Sequence, residues 1–194
     1  MNRLNMRKFA LTLCACLFFG FAQAQHLKLN AVGLINKQLD LGLELGKNKF
    51  GFEFDLGYSF KPWSNGVKVN GKKETTKRHG YLLGLRGNYY INPKEGLDGL
   101  YVSPFFQQFK GKIKFDDGHV RQERSTFGAI AGYKGLMGEH LGYLVEAGVG
   151  FNVIYRYTRI SDDQRVVLEE SIPILGTLSR LNVPFRASLI YRFN

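Results

Sequence analysis

From residue 27 to the C-terminus the chain alternates apolar and polar positions with a period of two. The last stretch is the clearest case. Val183, Phe185, Ala187, Leu189, Tyr191 and Phe193 fall on one side, and Pro184, Arg186, Ser188, Ile190 and Arg192 on the other. Leu141, Tyr143, Val145, Ala147, Val149, Phe151, Val153, Tyr155 and Tyr157 alternate in the same way with Gly142, Leu144, Glu146, Gly148, Gly150, Asn152, Ile154, Arg156 and Thr158. Phe50 to Phe60 and Leu39 to Leu45 repeat the pattern. A helix would scatter each apolar set around its axis, whereas a strand keeps it on one face. The pattern predicts eight strands, at about 27–35, 38–46, 49–60, 78–92, 100–115, 120–136, 140–159 and 182–194. Several exceed the ~9–11 tilted residues that cross a bilayer.

The links between these strands alternate in length. Lys47-Asn48, Pro93 to Gly99 and Gly138-Glu139 are short and share one end. The other end carries Asn36-Lys37, Lys61 to Lys77, Asp116-Asp117-Gly118 and Ser161 to Leu181, two of them long. Short turns on one side and longer loops on the other are the habit of outer-membrane barrels, and an even strand count brings both chain ends to the short-turn side. The expected fold is therefore all-β, an eight-stranded antiparallel up-and-down transmembrane barrel.

The first 24 residues read as an export signal. Arg3, Arg7 and Lys8 precede the mostly apolar run Phe9 to Phe21, and Ala22-Gln23-Ala24 is an A-x-A cleavage pattern. The expected domains are a signal peptide over 1–24 and a barrel over 25–194. Cleavage removes three bases and no acid, so the net charge of +11 falls to +8, and both cysteines leave with the signal. Disulfides, Cys–metal sites and Cys nucleophiles are thereby excluded from the remainder. A closed barrel in a membrane supplies stability of another kind.

Which face meets lipid follows from residue size. A soluble barrel such as a lipocalin packs bulky apolar residues inward and shows charges outward. Here the polar face is rich in Gly, Ser and Asn, which suit a crowded interior, and the apolar face carries large Phe, Tyr and Leu. With these features and the C-terminal Leu189-Ile190-Tyr191-Arg192-Phe193, the chain resembles the small OmpA/OmpX-like outer-membrane barrels. Leu27-Lys28-Leu29-Asn30 and Tyr101-Val102-Ser103-Pro104-Phe105-Phe106 bring it closer to an outer-membrane barrel family of Bacteroidetes-type bacteria. The resemblance implies a bacterial outer-membrane location, a monomer, and recognition of Tyr191 and Phe193 by the barrel-assembly machinery. Asn194 after Phe193 departs from the usual final Phe.

The inward face would hold Lys28, Asp40, Glu44, Glu53, Asp55, Arg86, Arg124, Lys134, Glu146, Arg156, Arg186 and Arg192. Charges in so narrow a barrel must pair, because unpaired burial costs several kcal/mol per ion. A structural plug of ion pairs is the expected outcome, with Arg86 pairing with Glu53 or Asp55; a narrow polar pathway is the sharper alternative. Enzymatic readings, a lipid A-modifying enzyme above all, find little support. None of His26, His79, His119 and His140 has a Ser within two positions, so a nucleophile–base pair is missing. No cluster has metal-ligand spacing and no cofactor motif is present.

Lys61 to His79 carries six bases (Lys61, Lys68, Lys72, Lys73, Lys77 and Arg78) against Glu74. An exported chain makes nucleic acid the wrong partner; lipopolysaccharide phosphates are the nearer anions for Lys68, Lys72, Lys73, Lys77 and Arg78. Trp63 reads as an interfacial anchor. The sequence-level expectation is a non-enzymatic barrel for envelope integrity or surface interaction, with a narrow pore or hydrophobic-solute channel as alternative.

Overall fold

The computed structural model describes residues 25–60, 62–63, 68–69, 72–73, 76–94, 96–115, 118–161, 164–168 and 180–193, without side chains over 61–78, at 115, 118 and 159, or over 161–179. The signal peptide expected over 1–24 lies outside the described residues. Eight strands form the wall: β1 (His26–Asn30), β2 (Gln38–Lys47), β3 (Phe50–Ser59), β4 (Thr76–Tyr90), β5 (Gly99–Phe115), β6 (Gly118–Leu136), β7 (Leu141–Ser161) and β8 (Phe185–Arg192). Each pairs antiparallel with the next, and β8 returns to β1 with Lys28 opposite Ile190. Each of the eight strands thus has a partner on both sides, and the sheet closes on itself at the β8–β1 seam.

The alternation sorts the side chains as a lipid-facing barrel requires. Outward positions carry Leu39, Leu41, Phe52, Leu56, Leu83, Leu85, Val102, Phe106, Val145, Val149, Phe185 and Leu189, all exposed. Along β7 the apolar outward run from Leu141 to Val153 is about 30 Å tall, taking ~3.3 Å per residue and a ~40° tilt. That matches the ~25 Å apolar band of membrane barrels. Aromatic residues collect at its two borders: Tyr58, Phe60 and Tyr81 at one, Phe50, Tyr89, Tyr133, Tyr143, Tyr191 and Phe193 at the other. Gln25 accepts the backbone hydrogen bond of Phe193 at 2.9 Å, so both ends of the described chain meet at the second border.

Two local features depart from the sequence reading. The first strand stops at Asn30, short of the expected residue 35, and Ala31–Ile35 form a one-turn helix, α1. Asn30 caps it by accepting from the Gly33 amide at 3.1 Å, a local bond that competes with strand continuation. The second is a register shift between Asn152 and Ile154 in β7. One extra residue there exchanges the faces of everything beyond it. Tyr157 then meets the buried, inward Gln122, whose side-chain amide donates to its hydroxyl at 2.9 Å. Arg156 falls beside Glu123 and is exposed. The expectation that Arg156 lies in the interior is corrected on this ground.

The strands lengthen around the wall, from 10 residues in β2 and β3 to 15, 17, 19 and 21 in β4 to β7. One side of the barrel therefore rises past the apolar belt. Gln164–Leu168 folds back antiparallel onto Tyr157–Ser161 and extends that rise as a hairpin.

Candidate functional site

The lumen holds two filled layers beneath a cavity. At the end where Gln25 meets Phe193, Tyr90, Leu97, Tyr101, Leu144 and Ile190 form a buried apolar cluster. Leu97 comes from the turn between β4 and β5, so a link as well as strands closes this end.

The middle layer is ionic. Four carboxylates, Glu44, Glu53, Asp55 and Glu146, meet four cations, Lys28, Arg86, Lys134 and Arg186. Arg186 is its hub. Its Nη2 lies 2.7 Å from Glu53, its Nη1 2.9 Å from Asp55 and its Nε 2.7 Å from Glu146. Arg86 donates from Nε to Asp55 at 2.6 Å, has Glu53 at 3.9 Å, and closes on Glu146 with its terminal nitrogen. Lys28 bridges Glu44, at 3.0 Å, and Glu53. Lys134 donates to Glu44 at 2.7 Å and lies 4.6 Å from the Tyr90 ring centroid. Lys28, Lys134, Glu44 and Glu53 are 0% exposed. Equal numbers of the two signs, each ion held by at least one opposite charge, make such burial tolerable.

Neutral groups complete the network, and these the inward list from sequence omitted. Tyr90 donates to Glu44 at 2.7 Å, Tyr101 donates to Glu146, and Asn88 donates to Glu44 at 2.6 Å and to Glu53 at 3.1 Å. Asn88 and Tyr90 share the parity of Arg86, which is the signal that finds them. Small residues make the room. A Cβ on Gly51 would stand 2.5 Å from Glu44 Oε1, and one on Gly132 would stand 2.7 Å from the Tyr101 hydroxyl.

The remaining inward candidates lie outside this network. Asp40 accepts from Asn30 at 3.0 Å and from Gln38 at 2.7 Å, near α1. Arg124 stacks over Phe109, 5.8 Å from its centroid. Arg192 sits across from His26 at the terminal rim. The side chains of Lys68, Lys72, Lys73, Lys77 and Arg78, and of Trp63, lie outside the described ones. Tyr191 and Phe193 are exposed on the outer wall, their rings edge to face with centroids 5.2 Å apart.

Above the ionic layer lies a cavity of about 360 Å³. Asp55, Arg86, Glu146 and Arg186 form its floor, and Arg124, Phe109, Asp40 and α1 its walls. α1 takes the place between β8 and the upper part of β2 that a longer β1 would fill. Among the described residues no group of three or more His, Cys, Asp or Glu is arranged to hold a metal ion.

No family model and no curated protein matches the chain. Among solved structures, CarO of Acinetobacter baumannii is similar at 12% identity, over 88% of this chain and 98% of that one, with a TM-score of 0.47. The barrel assignment itself rests on the closed circle of strand pairs.

Proposed function

We propose that this chain is a bacterial outer-membrane barrel whose lumen is sealed, and that it acts without catalysis, in envelope integrity or through the surface of its outer extension. The observation that carries the reading is the ionic layer. Eight charged side chains neutralise one another across the whole lumen, and the Tyr90–Tyr101 cluster closes the end beneath. A conducting path needs a continuous file of water, and these side chains occupy its place. The apolar outward belt and its aromatic borders support a membrane. Kinship with the OmpA/OmpX-like barrels and with the Bacteroidetes-type family belongs to the same proposal, as do the monomeric state, Tyr191 and Phe193 as the mark read by the assembly machinery, and lipopolysaccharide as the neighbour of the Lys68–Arg78 segment.

The test has two arms. Outer-membrane fractions run on a detergent gel with and without boiling should give a compact unboiled band. Planar-bilayer recording should give no discrete conductance, and reproducible unitary steps would overturn the sealed lumen.

A second reading has the 360 Å³ cavity behind it. Floored by paired charges and walled by Asp40 and Arg124, it suits a small polar solute that is held without crossing. Calorimetric titration with candidate polar solutes tests it, and Arg124→Ala should weaken any that binds.

A further inference from the structure

The outer wall of β4 to β6 carries an arrangement that the lumen does not use. Antiparallel register aligns Tyr58, Tyr81, Lys110, Glu123 and Arg156 in one cross-strand row. The next row away from the belt aligns His79, Lys112 and Arg121, and the one beyond it pairs Lys114 with His119. These side chains face outward, since the alternate positions Phe109, Ile113 and Gln122 are buried inside. Like charges set directly opposite one another repel across a sheet. Lys110 is answered by Glu123 at 2.9 Å. Among the described residues, Lys112 and Arg121 have no carboxylate partner.

The rows sit where the apolar belt ends. Outward positions of β5 run Leu100, Val102, Pro104 and Phe106, and then become Gln108, Lys110, Lys112 and Lys114. The Tyr58 and Tyr81 rings mark the border, and the Lys112–Arg121 row stands ~7 Å above it, two residues along the strand. Tyr58 Oη and His79 Nδ1 are 3.3 Å apart, which ties the aromatic row to the cationic one. Between them lies a groove of about 470 Å³, lined by Tyr58, His79, Tyr81, Lys112 and Arg121, with the Glu123 carboxylate in it neutralised by Lys110. Desolvation, then the charges of Lys112, Arg121 and Lys114, hold the His119 imidazole below its ordinary value, as a locally positive field does.

We propose that this groove seats the phosphorylated sugar headgroup of an outer-leaflet lipid. Lys112 and Arg121 clasp a phosphate, and Tyr58 and Tyr81 pack at the boundary between headgroup and acyl chains. The assignment rests on the outer-membrane reading and adds to it a defined lipid site on the wall, separate from the Lys68–Arg78 segment. Position favours a lipid over a free anion, because the cations flank the apolar belt on the outside of the barrel. Arg supplies a planar fork for phosphate oxygens and Lys a point charge.

The experiment is native mass spectrometry of the detergent-solubilised full barrel. The probes are bisphosphorylated lipid A, its dephosphorylated form, and inorganic phosphate as competitor. The wild type should retain the bisphosphorylated form about thirty-fold more than the dephosphorylated one, the scale set by two cations at an anionic surface. K112Q/R121Q should lose that preference, and K47Q/K49Q, at the opposite rim, should keep it. Retention of the preference by K112Q/R121Q, or its absence from the wild type, would overturn the proposal. Displacement by millimolar inorganic phosphate would overturn it too, in favour of a free-anion site. Each sample is also run unboiled on a gel. A compact band with no lipid preference overturns the lipid site alone, and a wild type without such a band overturns the barrel reading and the site together.

Discussion

Replacing Arg186 by Met removes the hub of the ionic layer while keeping most of its bulk. Three carboxylates lose a partner, Glu53 at 2.7 Å, Asp55 at 2.9 Å and Glu146 at 2.7 Å. Arg86 and Lys28 remain for all three, and Lys28 is shared with Glu44. Breaking a buried pair from one side costs ~3–5 kcal/mol, because the charge left behind stays out of water. Steric change adds less than ~1.5 kcal/mol for a swap of similar volume. R186M should therefore lose about 3–5 kcal/mol in urea unfolding from lipid vesicles, followed by the unboiled gel band. Glu53→Gln in the same chain restores equal numbers of the two signs, so the double variant should recover more than half of the loss. Water in the lumen would change the answer: a solvated pair is worth ~0–1 kcal/mol. R186M within about 1 kcal/mol of wild type, or a double variant equal to the sum of the singles, would refute the sealed, mutually dependent layer.

Other expectations follow from the same contacts. Gly132→Leu forces Tyr101 away from Glu146 and should cost ~1–3 kcal/mol by overpacking, whereas Gly87→Ala, with nothing within 4 Å of the new Cβ, should leave urea stability unchanged. Val145→Arg, on the outward face near the middle of the belt, should cost ~2–4 kcal/mol in vesicles; a variant as stable as wild type would argue that this face meets water. Above the belt, the hydrogen bond and charge of Lys110 hold the Glu123 carboxyl below its usual value. A lowered carboxylate stabilises the fold above its unfolded value and loses that contribution as pH falls through the folded one. Glu123→Gln should lower the urea midpoint slightly at neutral and alkaline pH, meet the wild type at acid pH where the carboxyl is protonated, and so flatten the acid limb of midpoint against pH.

The strands were legible because every turn of a strand repeats the same choice of face, and each of the eight carries several such choices. The interior charges were legible as a set for the same reason: Glu44, Glu53, Asp55, Arg86, Glu146 and Arg186 share the parity of the small residues. Their pairing was only partly so. Arg86 and Asp55 stand on neighbouring strands, but Lys134 reaches Glu44 across 90 residues, a contact set by tilt and stagger that no periodicity reports. The helix at Ala31–Ile35 escaped because one capping bond from Asn30 outweighs a continuing alternation. The β7 bulge escaped because Tyr155 and Tyr157, beyond it, keep up the apolar rhythm of Val149, Phe151 and Val153 before it. A tyrosine reads equally well as a lipid-facing ring or as an inward hydroxyl donor, so Arg156 was given the wrong face.

The ionic layer also bears on how the barrel closes. β1 to β4 bring two cations, Lys28 and Arg86, and three anions, Glu44, Glu53 and Asp55. β6 to β8 bring two cations, Lys134 and Arg186, and one anion, Glu146. Each half of the chain thus carries one unbalanced charge of opposite sign, and Lys28 and Arg186 stand on the two strands of the β1–β8 seam. An open sheet in the bilayer leaves both excesses uncompensated, while a sheet closed in register cancels them. A slip of one residue at the seam would turn Lys28 outward and take a cation from both Glu44 and Glu53. The layer proposed to seal the lumen would therefore also check the pairing of β8 with β1, and assembly of this barrel should be all-or-none at that step.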